Sequence, residues 1–245
     1  PNCSSAASDV YKRQILKDEE FLLYIKFIVI FTFIAVVILY FYSDIDHFSD
    51  FTHPFVFGKF EAAFRHGFFQ VVAIVTTTGF VSADYTLWSP FLVVFFFGMM
   101  FSGGSAGSTS GGVKVVRHLL LIRNGFMEFK RSLHPNAVVP VRYNTKTVSG
   151  GIVFNILGFF ILYMLSFIVG ALGFALLGLD FESAIGVAAS SLGNVGPALG
   201  DFGPANNFSE MPVLGKWWSA LLMLIGRLEL FTVLILFTPF FWRNR

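Results

Sequence analysis

The sequence predicts an all-α polytopic membrane protein built from two repeats of one membrane unit, and three observations lead to this prediction. First, the 245 residues are 55% hydrophobic and 13% charged, and they include 33 phenylalanines. One soluble core of this size could not bury so many apolar side chains, so the remainder must face lipid. Second, several apolar stretches reach the roughly 20 residues that a helix needs to cross a bilayer. Third, the order of long and short apolar segments occurs twice.

Each apolar segment has a predicted role that follows from its length. Three stretches are long enough to span: residues 21–42, 148–179 and 217–241. A fourth, residues 88–101, spans only if it continues through a glycine-rich stretch into residues 113–123, as a broken inner helix. Residues 60–75 and 181–191 are too short to cross, which is typical of re-entrant pore helices.

A small, glycine-containing turn follows each short segment, TTTGF at residues 76–80 and SLGNVGP at residues 191–197. The order of outer helix, pore helix, glycine turn and inner helix therefore repeats. Such a duplication in a membrane chain usually builds a symmetric pathway between its copies. We predict a first unit (residues 15–147, including a cytoplasmic connection) and a second unit (residues 148–245). The polar leader, residues 1–14, is expected to lie outside the fold.

Charge gives the orientation and excludes other classes of protein. Residues 114–146 hold seven Lys and Arg against one acidic residue, Glu128, which predicts a cytoplasmic position. The net charge of +2 offers no concentrated basic surface for nucleic acid. The single cysteine, Cys3, can form neither an internal disulfide nor a zinc site. The sequence shows no catalytic pair or triad, so we predict that the protein is not an enzyme.

The two glycine turns suggest cation chemistry. Small residues before a glycine allow successive carbonyl oxygens to point inward and replace the water shell of a monovalent cation. In the first turn (residues 76–79) these are Thr76, Thr77, Thr78 and Gly79. In the second turn (residues 193–196) they are Gly193, Asn194, Val195 and Gly196. A side chain at the glycine would obstruct this backbone conformation.

Five stretches together resemble the Trk/Ktr/HKT superfamily of potassium uptake proteins, and within it the bacterial TrkH branch. They are VTTTGF (75–80), GGSAGSTSGGVKVVR (103–117), HPNAVVPV (134–141), SLGNVGPALG (191–200) and MLIGRLELFTVL (223–234). The resemblance implies potassium uptake through a carbonyl-lined filter, with potassium as the transported ion, no other metal and no cofactor. A sodium- or ammonium-permeable pathway on the same scaffold and a non-conducting module that docks a partner remain alternatives.

The glycine loop (residues 103–112) contains no side chain larger than threonine. Its residues are Gly103, Gly104, Ser105, Ala106, Gly107, Ser108, Thr109, Ser110, Gly111 and Gly112. A phosphate-binding loop would need lysine and a hydroxyl directly after the last glycine, whereas Val113-Lys114-Val115 follows here. The resemblance implies a gating loop, an unwound part of the inner helix beneath the filter. The alternative is a close-packing interface of small residues.

Arg227 lies within the last apolar stretch, where a guanidinium costs roughly 2.5 to 3.5 kcal/mol unless it pairs or faces water. The resemblance implies that Arg227 faces the pathway near the gating loop, where its charge repels a cation. The alternative is a structural ion pair with a carboxylate elsewhere in the protein.

Further partners are implied by the resemblance alone. Family members carry four pore units in one chain, and this sequence corresponds to the third and fourth. The resemblance therefore implies a missing N-terminal half with two further pore units, because two pore loops do not enclose a filter. It also implies a homodimer and a cytoplasmic ring of nucleotide-binding regulatory subunits of the TrkA kind. The expected location is the lipid bilayer of the bacterial cell inner (plasma) membrane, crossed several times.

Overall fold

The computed structural model describes residues 17–43, 58–134, 139–144, 146–228, 230–236 and 239–243. The predicted leader, residues 1–14, lies outside this part of the chain. The helices are α1 (Glu19–Tyr42), α2 (Lys59–Val75), α3 (Pro90–Met99), α4 (Val115–Leu133), α5 (Gly150–Leu176), α6 (Phe181–Gly193), α7 (Val213–Arg227), α8 (Leu230–Leu236) and α9 (Pro239–Arg243). Short 3₁₀ helices lie at Tyr85–Leu87, Gly200–Phe202 and Phe208–Glu210.

Two of these helices, α1 with 24 residues and α5 with 27, are long and apolar enough to cross a bilayer. Helix α1 begins where Asp18 accepts a hydrogen bond from the Phe21 N–H. Glu19 and Glu20 occupy its first turn, where carboxylates complement the positive end of the helix dipole. Both helices agree with the outer helices predicted from residues 21–42 and 148–179.

The two predicted pore helices are short helices in the structure, with 17 residues in α2 and 13 in α6. Asp180 is the N-cap of helix α6, and its carboxylate accepts hydrogen bonds from the N–H groups of Glu182 and Ser183. The hydrogen bonds from Ser183 hold the pKa of Asp180 below its usual range. Every residue from Ser183 to Gly193 is buried except Ile185, so α6 lies inside the helical packing.

The chain between α3 and α4 is not helical, as expected for a broken inner helix. Helix α3 begins with Ser89 as N-cap and Pro90 in the first turn, and it has 10 residues. The glycine loop follows, and α4 resumes at Val115. The five glycines of this loop disfavour a helix, because glycine loses more conformational entropy on folding than any other residue.

The C-terminal helix differs from the prediction of one continuous span over residues 217–241. The chain instead forms α7, α8 and α9, and α7 and α8 are bent by 120° at their junction. The bend was not predicted, but α7 and α8 taken together are still long and apolar enough for one broken span. Ending α7 at Arg227 places the guanidinium at a helix C-terminus, where a positive charge complements the dipole.

A two-stranded hairpin in the connection after α4 was also not predicted. Strands β1 (Arg142–Tyr143) and β2 (Lys146–Thr147) are antiparallel, with Arg142 opposite Thr147 and Tyr143 opposite Lys146. Strands of two residues are too short to show the alternation of apolar and polar residues that reveals a strand. Among the described residues, regular secondary structure is thus helical apart from this hairpin and an isolated bridge between Ser102 and Val113.

One apolar cluster joins the two units. Buried side chains of α1, α2 and α3 pack with Ala189, Val195 and Leu199 of the second unit. Val195 belongs to the second turn, and Val75 of the same cluster immediately precedes the first turn. The core therefore holds both turns in one packed region.

Candidate pore turns and glycine loop

The first turn reverses the chain directly after α2. Hydrogen bonds to the last turn of α2 hold its amides, from Thr76 N–H to Val72 O at 2.9 Å and from Thr78 N–H to Ala73 O at 2.9 Å. Thr77 has a φ of 52° and Gly79 a φ of 76°. Within the described part of the chain, the carbonyl oxygens of residues 76–79 accept no hydrogen bond.

Ser190 fixes the second turn from within α6. Its hydroxyl donates to the Gly196 carbonyl at 2.8 Å and accepts from the Gly196 N–H at 3.1 Å. Asn194 has a φ of 55°, and its side-chain amide donates to Met223 O of α7 at 3.1 Å. Asn194 therefore ties the turn to α7 through its side chain. Among the described residues, the carbonyl oxygens of Asn194 and Val195 accept no hydrogen bond.

The two turns touch each other. A Cβ on Gly79 would lie 2.4 Å from the Val195 carbonyl oxygen, closer than carbon and oxygen can approach. Gly196 has a φ of 118°, and a Cβ there would lie 3.4 Å from the Cα of Gly79. The structure thus brings together two predicted site segments that lie in different units. Only glycine fits at residue 79, because of both its φ and this contact.

The glycine loop is closed at its base by backbone hydrogen bonds. Gly103 N–H donates to Val113 O at 2.8 Å, and Val113 N–H donates to Phe101 O at 3.1 Å. The Lys114 ammonium group spans the loop and donates to the carbonyls of Ser108 at 2.7 Å and Ser110 at 2.6 Å. The loop therefore has a defined shape held from its own C-terminal end.

The base of the glycine loop lies against the second turn. A Cβ on Gly111 would be 2.4 Å from the Gly193 carbonyl oxygen and 2.7 Å from the Asn194 Cβ. A Cβ on Gly193 would in turn lie 2.4 Å from Met100 O, at the end of α3. Close packing of small residues, the alternative raised for this loop, is thus present at its base. Gly107, near the tip, has nothing within 4 Å of its Cβ position.

Glu20, in the first turn of α1, contacts the tip of the glycine loop, and the sequence did not point to this residue or to the bonds of its neighbour Glu19. The buried Glu20 carboxylate accepts from the Ala106 N–H. The neighbouring Glu19 accepts from Arg123 of α4 at 2.6 Å and from the Asn144 N–H at 3.0 Å. Two carboxylates at the start of an apolar helix could have indicated these contacts, but stabilisation of the helix N-terminus explains carboxylates at that place equally well.

Arg227 lies next to the contact between α7 and the second turn. Its neighbour Gly226 approaches so closely that a Cβ there would be 1.9 Å from Leu192 O. The Arg227 side chain is exposed, and it makes no hydrogen bond or ion pair with another described residue. Glu229 lies outside the described residues. The glycine loop contacts the same turn through Gly111, and a position of Arg227 near that loop stays a prediction.

Comparisons with known proteins agree with the resemblance. A family model described as TrkH, cation transport protein, matches residues 13–244. The chain is 39% identical over 239 residues to the Trk system potassium uptake protein TrkH of Vibrio parahaemolyticus, covering 98% of this chain and 46% of that protein. It is 38% identical over 228 residues to TrkH of Escherichia coli K12, covering 93% of this chain and 44% of that protein.

A solved structure gives the same result. The crystal structure of the potassium transporter TrkH from Vibrio parahaemolyticus superposes with a TM-score of 0.83 at 37% identity, covering 97% of this chain and 48% of that one. The chain thus spans about half the length of these relatives. The family is one of transporters, which confirms the prediction that the protein is not an enzyme. From the family match and these identities, the chain belongs to the TrkH family of cation transport proteins.

Proposed function

We propose that this chain forms half of a potassium uptake pathway across the bacterial inner membrane. The observation that carries the proposal is the contact between the two turns, Gly79 against Val195, with carbonyl oxygens on both sides that accept no hydrogen bond from the described residues. Carbonyl oxygens held in fixed positions can replace the hydration shell of a potassium ion. The relatives named above are potassium uptake proteins, which supports potassium as the transported ion.

We further propose that the two units are repeats of outer helix, pore helix, filter turn and inner helix. The two pore helices, α2 and α6, each end in a turn that contains a glycine with positive φ. Dipoles of such short helices direct their negative ends toward the turn that follows, which favours a cation there. Asp180 lies at the N-terminal end of pore helix α6, and Asp84 and Asp201 lie in the connections that follow the two turns. We place these three residues on the external side of the membrane.

The glycine loop acts as the gate in this proposal. It lies against the base of the second turn through Gly111, and non-helical backbone at membrane depth occurs only where it lines water or is buried in protein. The contacts from Glu20 and Lys114 hold the loop in this position. Moving the loop away from the second turn would open the path below the filter.

Two turns cannot surround an ion, so we propose that two further pore units complete the filter. The relatives are about twice as long as this chain, which is sufficient for four units. Thr78 and Gly196 are exposed, so the face that would meet those units is open. A homodimer and a cytoplasmic nucleotide-binding ring of the TrkA kind are proposed on the resemblance.

In the basic connection, residues 114–146, two arginines that could contact such a ring are already bound within this chain. Arg123 is engaged by Glu19 and by Arg142 O, and Arg131 by Glu128 and Val139 O. These two arginines stabilise the connection itself. Lys130 is exposed on α4, so reversing its charge would test ring docking without removing the contacts that Arg123 and Arg131 make.

Ion uptake by the full-length protein tests the proposed function. Cells that lack their own potassium uptake systems would express the protein, and the uptake of rubidium, sodium and ammonium would be measured against cells without it. We expect rubidium uptake that excess potassium suppresses and excess sodium does not. Uptake of sodium or ammonium in preference would support the alternative pathway, and a protein present in the membrane without any flux would support the docking module; either result contradicts the proposal.

A further inference from the structure

A hydrogen bond between the two units holds the chain directly after the second turn. Tyr85 lies in the 3₁₀ helix Tyr85–Leu87, in the connection that follows the first turn. Its hydroxyl donates to the carbonyl oxygen of Ala198 at 2.8 Å, across 113 residues of sequence. Both residues are fully buried, with 0% of their surface exposed. The bond therefore lies in the packed region behind the turns.

Ala198 is coupled rigidly to the second turn. It follows Gly196 and Pro197, and the proline ring fixes φ and leaves the chain little freedom between them. The Ala198 N–H donates to Phe202 O at 3.0 Å, which closes the loop that follows the turn. Ser190 holds Gly196, the last residue of the second turn. The C-terminal end of the second turn is thus held at Gly196 by its own unit and, two residues later at Ala198, by Tyr85 of the first unit.

The Tyr85 ring is itself held firmly. It packs edge-on against Phe96 of α3 with a centroid distance of 5.3 Å, and Phe96 packs against Trp88 at 5.8 Å. Asp84 accepts from the Thr86 N–H at 2.9 Å and so caps the short helix that carries Tyr85. Burial, together with the nearby Asp84 carboxylate, raises the pKa of Tyr85, so the hydroxyl keeps the proton that it donates.

We propose that Tyr85 is a positioning residue for ion discrimination, because its hydroxyl sets the distance between the two turns through the Ala198 carbonyl. This inference rests on the proposed function, since it assigns Tyr85 to the filter defined there. A hydrogen bond that fixes the position of the turn affects selectivity more than flux. Discrimination between potassium and sodium depends on where the carbonyl oxygens lie and on the strength of the electric field that they produce at the ion. An ordinary core hydrogen bond would instead contribute to stability alone.

The test compares Tyr85→Phe with Tyr163→Phe in the full-length protein. Tyr163 is a matched control because it is also buried, while its hydroxyl has no hydrogen-bond partner in the described part of the chain. The ratio of rubidium to sodium uptake is measured together with membrane abundance and thermal unfolding. We expect Tyr85→Phe to lower the ratio roughly two- to tenfold, the range for one neutral hydrogen bond, and Tyr163→Phe to leave it unchanged.

The outcomes separate this inference from the proposed function. If the wild-type protein does not prefer rubidium over sodium, the proposed function fails. If the wild type is selective and Tyr85→Phe is equally selective, the proposed function stands and the role of Tyr85 is overturned. Should Tyr85→Phe not reach the membrane, Asp84→Ala replaces it, because removing the cap loosens the helix that presents Tyr85 while leaving the ring in place. A wild-type ratio in Asp84→Ala would overturn the inference in the same way.

Discussion

Arg227 carries a positive charge at the junction of α7 and α8, beside the second turn. Its exposure in this chain is compatible with two roles in the full-length protein. If it faces the pathway, it repels a cation below the filter. If it pairs with a carboxylate of another pore unit, it stabilises the assembly. The two roles predict opposite results for the same substitution.

We expect Arg227→Ala to raise potassium conductance. If Arg227 faces the pathway of the full-length protein, the change removes a unit charge from a confined and poorly screened site, where it is worth on the order of 1 to 4 kcal/mol. Arg227→Lys keeps the charge but loses the bidentate fork that an ion pair would use, so it should retain near-normal flux. Rubidium flux and membrane abundance would be measured for both variants.

A structural ion pair would give a different pattern. Removing Arg227 would then strand a buried carboxylate at a cost of roughly 3 to 5 kcal/mol, and the Ala variant would be lost from the membrane. A stable Ala variant with unchanged flux would show that Arg227 has neither role.

In the proposed function, the position of the glycine loop decides whether the pathway is open. Gly111→Ala inserts a methyl group where only 2.4 Å separates the Cβ position from Gly193 O, so the loop must move away from the second turn. We expect a rise in rubidium flux in the absence of the regulatory ring. Gly98→Ala is the matched control, because Gly98 is exposed on α3 with nothing within 4 Å of its Cβ position. Lower flux in a folded Gly111→Ala protein would favour a purely packing role for the loop.

The first turn of α1 restrains the same loop from its tip. Glu20→Ala removes the carboxylate that accepts from the Ala106 N–H, a charge-assisted hydrogen bond of about 1.5 to 3 kcal/mol. We expect higher basal flux, because the closed position loses one of its supports. Glu128→Ala is the control, since that carboxylate is 58% exposed and pairs within α4. Equal flux in Glu20→Ala and wild type would mean that this contact does not restrain the gate.

At the scale of the whole molecule, the sequence predicts the helices better than their contacts. Helix α1 was predicted from residue 21 and begins at Glu19, because capping by Asp18 extends it beyond the apolar run. The apolar stretch over residues 217–241 contains a 120° bend between α7 and α8 that was not predicted, because mean hydropathy does not register the break after Arg227. The bonds from Glu20 to Ala106 and from Tyr85 to Ala198 cross 86 and 113 residues of sequence. Periodicity carries no information about such distant pairs, so these parts of the site required the structure.

The most direct test of the account is the potassium-to-sodium ratio of the full-length Gly79→Ser protein. Serine at a φ of 76° is strained by roughly 1 to 2 kcal/mol, and its Cβ would lie 2.4 Å from Val195 O. Both effects push the two turns apart. We therefore predict a potassium-to-sodium ratio roughly tenfold or more below that of the wild type, with membrane abundance unchanged. A Gly79→Ser protein that is abundant, conducts, and discriminates potassium from sodium as the wild type does would contradict the assignment of these turns as the filter.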